Sequence, residues 1–195
     1  MLSARCRWWS SCEARTEPCS TAPNGEAERT VDLVIFAVGN PSRGDDALGP
    51  LLMDELERQA PPGVQLVNDF QLQPEHALDL HGRALALFID AGAGTPAPFE
   101  FRELQAAAGH AVSSHAFTPQ EVLRVYEILH GHPPPPAFLL CVRGEDFTLG
   151  EALSASAVKH LEAARRHLHA CLAAPAAEHW RQQLAGTQGK TEALR

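Results

Sequence analysis

The sequence lacks the features that would place the protein in a membrane, on nucleic acid or in an oxidising compartment. No apolar stretch approaches the roughly 20 residues that a membrane helix needs, and the N-terminal segment has no continuous apolar core of an export signal. The formal net charge is −8 without a basic stripe, which argues against nucleic acid and anionic membrane surfaces as partners. The five cysteines include no CxxC pair, so reduced thiols are expected. Together these absences predict a cytoplasmic protein.

Familiar catalytic and nucleotide-binding motifs are missing as well. The chain contains no HExxH, no GxGxxG and no complete GxxxxGKS/T pattern. Any chemistry must therefore come from residues that the fold brings together rather than from one short motif.

An apolar run followed by a glycine-rich acidic loop is the most informative stretch of the chain. Leu33–Val38 is too short for a typical helix and stops at Gly39, so it predicts a strand buried on both faces. The loop that follows carries the adjacent acids Asp45 and Asp46 directly before a helical pattern over residues 47–59. In an open α/β sheet, ligands bind at the carboxyl ends of the strands. The two carboxylates are therefore predicted to lie where such a sheet has its functional site.

The remaining patterns predict an α/β fold. It is a three-layer sandwich with a mostly parallel, twisted sheet of about five strands and helices on both faces. Further strands are expected over 64–69, 84–92, 99–104 and 137–144, and helices over 74–81, from 118 onward and over 154–173. We expect one domain over residues 31–174. Residues 1–30 are predicted to be a disordered extension, and residues 175–195 a polar, loose tail.

Two more candidate site residues come from later strands and helices. Asp90 ends the predicted strand over 84–92. His115 lies three residues before Thr118, which forms a capping box with Glu121 and so predicts a helix start. A lone carboxylate or histidine in such places is more often a helix cap or a surface residue. Together, however, Asp46, Asp90 and His115 would form an incomplete coordination sphere for a divalent ion such as nickel, zinc or manganese.

Four motifs occur in order between about residues 33 and 172. They are the GNPSRGDDALG loop, the FIDAG strand, an SSH segment before a helix, and RGEDFTLGEALS ahead of the closing helix. With these motifs the chain resembles the hydrogenase maturation proteases. These endopeptidases remove the C-terminal extension from the large subunit of nickel-iron hydrogenases after nickel insertion. The segment DFQLQPEHALDL, residues 69–80, is similar to the branch that processes soluble NAD-linked hydrogenases.

The resemblance implies a partner, a metal and a set of site residues. The partner is the large-subunit precursor of a nickel-iron hydrogenase. The metal is nickel carried by that precursor, with zinc or cadmium as possible occupants of the isolated protein. The nickel-recognising ligands of the family fall on Asp46, Asp90 and His115.

The mechanism that this implies uses a metal ion to polarise the scissile carbonyl or its water, while a carboxylate takes a proton. Asp45 and Asp46 are the predicted catalytic residues. Asp45 would take the proton or orient the loop, and Asp69 is a second candidate. Two alternatives remain open from the sequence. One is a non-catalytic chaperone that binds the hydrogenase subunit. The other is a nucleotide-binding module built on Gly39 and Gly44, which the adjacent acids disfavour.

Overall fold

The computed structural model describes residues 33–109 and 117–192, with side chains as far as residue 184. The strands are β1 (Leu33–Val38), β2 (Val64–Asp69), β3 (Leu85–Gly92), β4 (Phe99–Leu104) and β5 (Ala137–Arg143). The helices are α1 (Leu48–Gln59), α2 (His76–Asp79), α3 (Pro119–His130), α4 (Ala155–Ala173) and α5 (Ala177–Glu192). A short 3-10 turn, Gly44–Ala47, leads into α1.

The five strands form one mixed sheet in the order β2-β1-β3-β5-β4. The first four strands in this order pair in parallel, and β4 pairs antiparallel with β5. The α/β prediction is confirmed, with β4 as the one antiparallel strand. Because β2, β1 and β3 are parallel neighbours, their carboxyl ends meet at the same edge of the sheet.

Helices cover both faces of the sheet, as predicted for a three-layer sandwich. On one face α1, α4 and α5 bury an apolar cluster, and on the other face α2 and α3 bury a second one. In α3 the buried positions are Val122, Leu123 and Tyr126, whereas Leu129 is 57% exposed. The described helices include none that is both long and apolar enough to cross a membrane.

The C-terminal region departs from the prediction of a loose tail. Helix α5 follows α4 closely, and Trp180 on it is fully buried. The Trp180 indole Nε1 donates a hydrogen bond of 2.9 Å to the carbonyl oxygen of Cys171. Its ring packs against Phe101 and Phe138 of the sheet. One large aromatic side chain therefore anchors a helix whose other residues are mostly polar. Residues 1–30, predicted to be disordered, lie outside the described residues.

Replacing Trp180 by alanine should lower the free energy of unfolding by about 3–5 kcal/mol, because it removes a fully buried aromatic ring and its hydrogen bond. Urea denaturation measures the loss. The control is Arg181→Ala, which removes exposed ion pairs with Glu103 and Glu178 and should change the free energy of unfolding little. Equal, small effects of the two substitutions would show that α5 does not pack on the sheet.

Candidate functional site

The start of α1 approaches the sheet closely at Gly49. A Cβ at this position would lie 2.5 Å from the carbonyl oxygen of Val38 and 3.3 Å from that of Ile89. A larger residue would therefore push the helix away from the ends of β1 and β3. The close approach holds the 3-10 turn, with Asp45 and Asp46, beside the carboxyl ends of these two strands.

Asp46 and Asp90 lie on the same open cleft, as predicted. The cleft has a volume of about 370 Å³. It is lined by Val38, Gly39, Arg43, Asp46, Phe70, Gln71, Leu72, Asp90, Phe117, Thr118 and Pro119. The sequence placed these two acids on different strands and loops, and the parallel order of β1 and β3 brings them to one rim.

Each of the two carboxylates is fixed through one of its oxygens. The backbone N–H of Asn40 donates to Asp46 Oδ2 at 3.0 Å, and the N–H of Ala91 donates to Asp90 Oδ1 at 2.7 Å. The cleft also contains the Arg43 side chain, but its Nε donates to the carbonyl oxygen of Phe147. Within residues 33–109 and 117–192 no basic side chain forms an ion pair with Asp46 or Asp90. Two acids thus share a cleft without a compensating cation.

The environment of Asp90 disfavours its charge. Burial raises the pKa of Asp90 to about 6, the hydrogen bond from Ala91 opposes this rise, and the neighbouring Asp46 carboxylate adds to it. A cation bound between the two acids would stabilise both charged forms. The electrostatics therefore favour a positively charged ligand at this position.

The third predicted ligand, His115, lies outside the described residues. The helix start that was predicted three residues after it is confirmed. The Thr118 hydroxyl accepts from the Glu121 N–H at 3.3 Å, and the Glu121 carboxylate accepts from the Thr118 N–H at 2.7 Å. Phe117, directly before this cap, lines the cleft. Within the described part of the chain, no three His, Cys, Asp or Glu side chains are grouped to hold a metal, so the ligand trio stays a prediction.

Asp45 has an environment unlike that of Asp46. Its side chain is fully buried and accepts hydrogen bonds from the N–H groups of Glu145, Asp146 and Ser154, at 2.7, 3.0 and 2.7 Å. The Ser154 hydroxyl donates a fourth bond at 2.8 Å. Burial by itself raises the pKa of Asp45, but these hydrogen bonds outweigh it and hold the pKa below its ordinary value of 3.8. The geometry does not fit the predicted role of proton acceptor, and it fits the alternative role of orienting the loop.

The segment 144–154 wraps around the first loop and was recognised from the sequence only as a motif. Besides the bonds to Asp45, the N–H of Gly44 donates to the carbonyl oxygen of Glu151 at 3.2 Å. The Arg43 Nε bond to Phe147 measures 2.8 Å. The segment therefore supports the loop that presents Asp46, although it contributes no side chain to the lining of the cleft.

Asp69, the second candidate for the proton, ends β2 and borders a separate hollow of about 180 Å³. Its Oδ2 lies 3.6 Å from Nε2 of the buried His76. Because His76 Nδ1 accepts from the Gln73 N–H at 2.9 Å, the proton of a neutral ring is on Nε2 and faces Asp69. His76 thus helps to orient this carboxylate.

Several solved structures have a fold similar to that of this chain. The hydrogenase maturating endopeptidase HybD from Escherichia coli matches with a TM-score of 0.57 and 21% identity, over 72% of this chain and 91% of that one. The nickel-iron hydrogenase maturation protease HycI from Thermococcus kodakarensis matches with a TM-score of 0.53 and 23% identity, over 79% and 95%. An endopeptidase from Escherichia coli matches with a TM-score of 0.54 and 20% identity, over 70% and 88%.

The chain has the fold of the hydrogenase maturation endopeptidases. No protein-family model matches the chain, and no curated protein matches its sequence. At 20–23% identity the similarity to these endopeptidases establishes the fold and leaves the activity to be argued from the site.

The two adjacent acids of the loop should respond differently to substitution. Asp45→Asn places an amide N–H₂ against backbone N–H donors, so we expect the free energy of unfolding to fall by about 2–4 kcal/mol. Asp46→Asn keeps an oxygen for the single bond from Asn40 and should change stability by less than about 1 kcal/mol. Urea denaturation of both variants at pH 7 tests this.

The pH dependence gives a further check on Asp45. Because the folded-state pKa of Asp45 lies below the unfolded value, its stabilisation is complete above pH 3.8 and is lost as the pH falls below that value. The stability difference between wild type and Asp45→Asn should narrow only in that acidic range. Similar losses for Asp45→Asn and Asp46→Asn at pH 7 would contradict the assignment of different roles.

Asp90→Asn should make the metal-free protein more stable at neutral pH. The folded-state pKa of Asp90 is raised to about 6 from 3.8, so its ionisation destabilises the fold as the pH rises from about 4 to 6. Relative to wild type, the free energy of unfolding of Asp90→Asn should be higher by at most about 3 kcal/mol above pH 6, and the difference should vanish below pH 4. Thermal unfolding with a chelator present measures it. The exposed Asp54 supplies the control, since Asp54→Asn should show no such profile. A gain that is independent of pH would refute the explanation.

Proposed function

We propose that the protein is an endopeptidase that removes the C-terminal extension of a nickel-iron hydrogenase large subunit after nickel insertion. The observation that carries this proposal is the pair Asp46 and Asp90, two uncompensated carboxylates in one cleft. They lie at the carboxyl ends of neighbouring parallel strands in a fold shared with maturation endopeptidases. The shared fold supports a role in hydrogenase maturation, and the two carboxylates are the groups that can bind a cation.

The nickel in this proposal belongs to the precursor. Asp46 and Asp90 each keep one carboxylate oxygen that is not used by a backbone N–H, and each oxygen can bind a cation. His115, the third ligand predicted from the sequence, would complete the set. Three ligands leave the coordination sphere of a divalent ion unsaturated, so stable binding requires further ligands from the partner.

In this proposal the nickel ion and the residues of the chain have different roles at the scissile bond. Nickel supplies a Lewis acid that polarises the carbonyl. Asp46 and Asp90 orient the precursor around that ion. Since Asp45 is fully buried and accepts four hydrogen bonds that favour its charged form, Asp69 is the remaining candidate from the sequence to take a proton. It is exposed, its Oδ1 accepts a hydrogen bond of 2.6 Å from the N–H of Phe70, and its Oδ2 lies 3.6 Å from His76 Nε2.

The same geometry disfavours the nucleotide-binding alternative. A phosphate loop needs backbone N–H groups that point freely at the ligand. Here the N–H of Gly39 donates to the carbonyl oxygen of Asp69, and the N–H of Gly44 donates to that of Glu151. A chaperone without peptidase activity would use the same cleft, and an assay of cleavage separates it from the protease.

Cleavage should depend on nickel in the precursor. Chelator-stripped protein is incubated with nickel-loaded or nickel-free precursor, and the size shift of the large subunit is followed by electrophoresis. We expect the nickel-loaded precursor to be processed at least about 100-fold faster, because docking the ion positions the scissile bond.

The controls for this experiment are single substitutions at the predicted ligands. Asp46→Asn, Asp90→Asn and His115→Ala should each abolish processing and leave the circular dichroism spectrum unchanged. Equal processing of the two precursors would overturn the dependence on nickel. An unprocessed nickel-loaded precursor that still co-purifies with the wild-type protein would favour the chaperone.

A further inference from the structure

Strand β2 is an outer strand of the sheet. Among the described strands it pairs only with β1, which leaves the backbone groups on its other side without a partner strand. The carbonyl oxygens at both ends of this ladder, those of Gly63 and Asp69, accept from β1. Because partners alternate along a strand, the odd-numbered residues of β2 face β1. The N–H and C=O groups of Val64, Leu66 and Asn68 therefore face outward, and no hydrogen bond to them occurs among the described residues.

Natural sheets usually cover or charge an exposed edge, because unpaired strands associate with other chains. Among the described strands, none pairs with the outer edge of β2. The open edge of β2 is therefore the place where the sheet can accept another strand.

The open edge leads directly into the candidate site. At its carboxyl end Phe70 is 64% exposed and lines the cleft that contains Asp46 and Asp90. Phe70 and Asn68 also border the adjacent hollow, together with Pro41. A strand that pairs with β2 would reach the cleft without a turn. The hollow can accept a side chain from it.

We propose that the outer edge of β2 binds the substrate segment around the scissile bond as an added, extended strand. The outward groups of β2 repeat every two residues, about 6.6 Å apart, which matches the backbone of an extended polypeptide. Three such residues pair with a segment of about five residues. This inference rests on the proposed function, because the added strand is the part of the precursor to be cut.

The substitution Asn68→Pro tests whether the outer edge of β2 binds the substrate as an added strand. Proline removes the outward N–H nearest the cleft and leaves the bonds from β2 to β1 in place. In processing of nickel-loaded precursor, Asn68→Pro should raise KM by about three- to ten-fold, the value of one hydrogen bond, with kcat within about two-fold of wild type. The matched control, Asn68→Ala, also lacks the amide side chain but keeps the N–H, so the rise in KM is measured for Asn68→Pro relative to Asn68→Ala. Urea midpoints show whether both variants are folded.

A second measurement leaves β2 unaltered. A synthetic peptide that copies the precursor across the cleavage point competes with the precursor for the wild-type protein. N-methylation of one amide at a time should weaken competition at alternate positions only, since every second N–H of an added strand faces β2. Weakening at consecutive positions, or none, would overturn the proposal.

Other outcomes separate this inference from the function on which it rests. Normal processing with an unchanged KM in folded Asn68→Pro would refute the added strand and leave the endopeptidase intact. A concentration-dependent dimer of wild type that Asn68→Pro abolishes in sedimentation would assign the edge to a second copy of the chain and refute substrate binding there. Failure of the wild type to cleave any precursor would overturn both.

Discussion

The buried carboxylate of Asp45 is the interaction on which the arrangement of the site depends. A buried charge is costly unless hydrogen bonds replace its water, and here four donors do so. All four come from the segment that links β5 to α4. The Ser154 hydroxyl donates to Asp45 and accepts from the N–H of Ala157, so it also caps α4. One carboxylate thus connects the first loop of the chain to the start of its longest helix.

This connection explains how two adjacent acids can have opposite roles. Successive residues in a 3-10 turn are rotated by about 120°, so Asp45 and Asp46 cannot share one environment. Asp45 points into the protein, where its carboxylate accepts four hydrogen bonds. Asp46 faces the cleft and has one bond, from Asn40. The rigidity of Asp45 gives Asp46 a fixed position, and the incomplete bonding of Asp46 leaves it able to bind a ligand.

The parts of the structure that local patterns determine could be predicted from the sequence. Continuous apolar runs marked β1, β3 and β5, and the capping box at Thr118 marked the start of α3. The rule that sites lie at the carboxyl ends of parallel strands also predicted that Asp46 and Asp90 lie together, and both line the cleft. The features that the sequence did not predict depend on contacts between residues far apart in the chain. Nothing in the local sequence says which acid of the pair is buried, and the polar pattern of α5 concealed the packing of Trp180.

The strand order is a property of the whole chain, and it decides which backbone groups stay open. It places β2 at the outside, next to the acids at the end of β1 and β3. Stability alone would favour a basic partner for Asp46 and Asp90 and a partner strand for the outer edge of β2. Unpaired acids and an unpaired strand edge are each destabilising or prone to association. The cleft with the two acids and the outer edge of β2 both lie beside Phe70. A single ligand that carries a cation and an extended backbone would therefore neutralise the acids and pair with the strand edge. A metal-loaded polypeptide has that combination, and a small anion or a nucleotide does not.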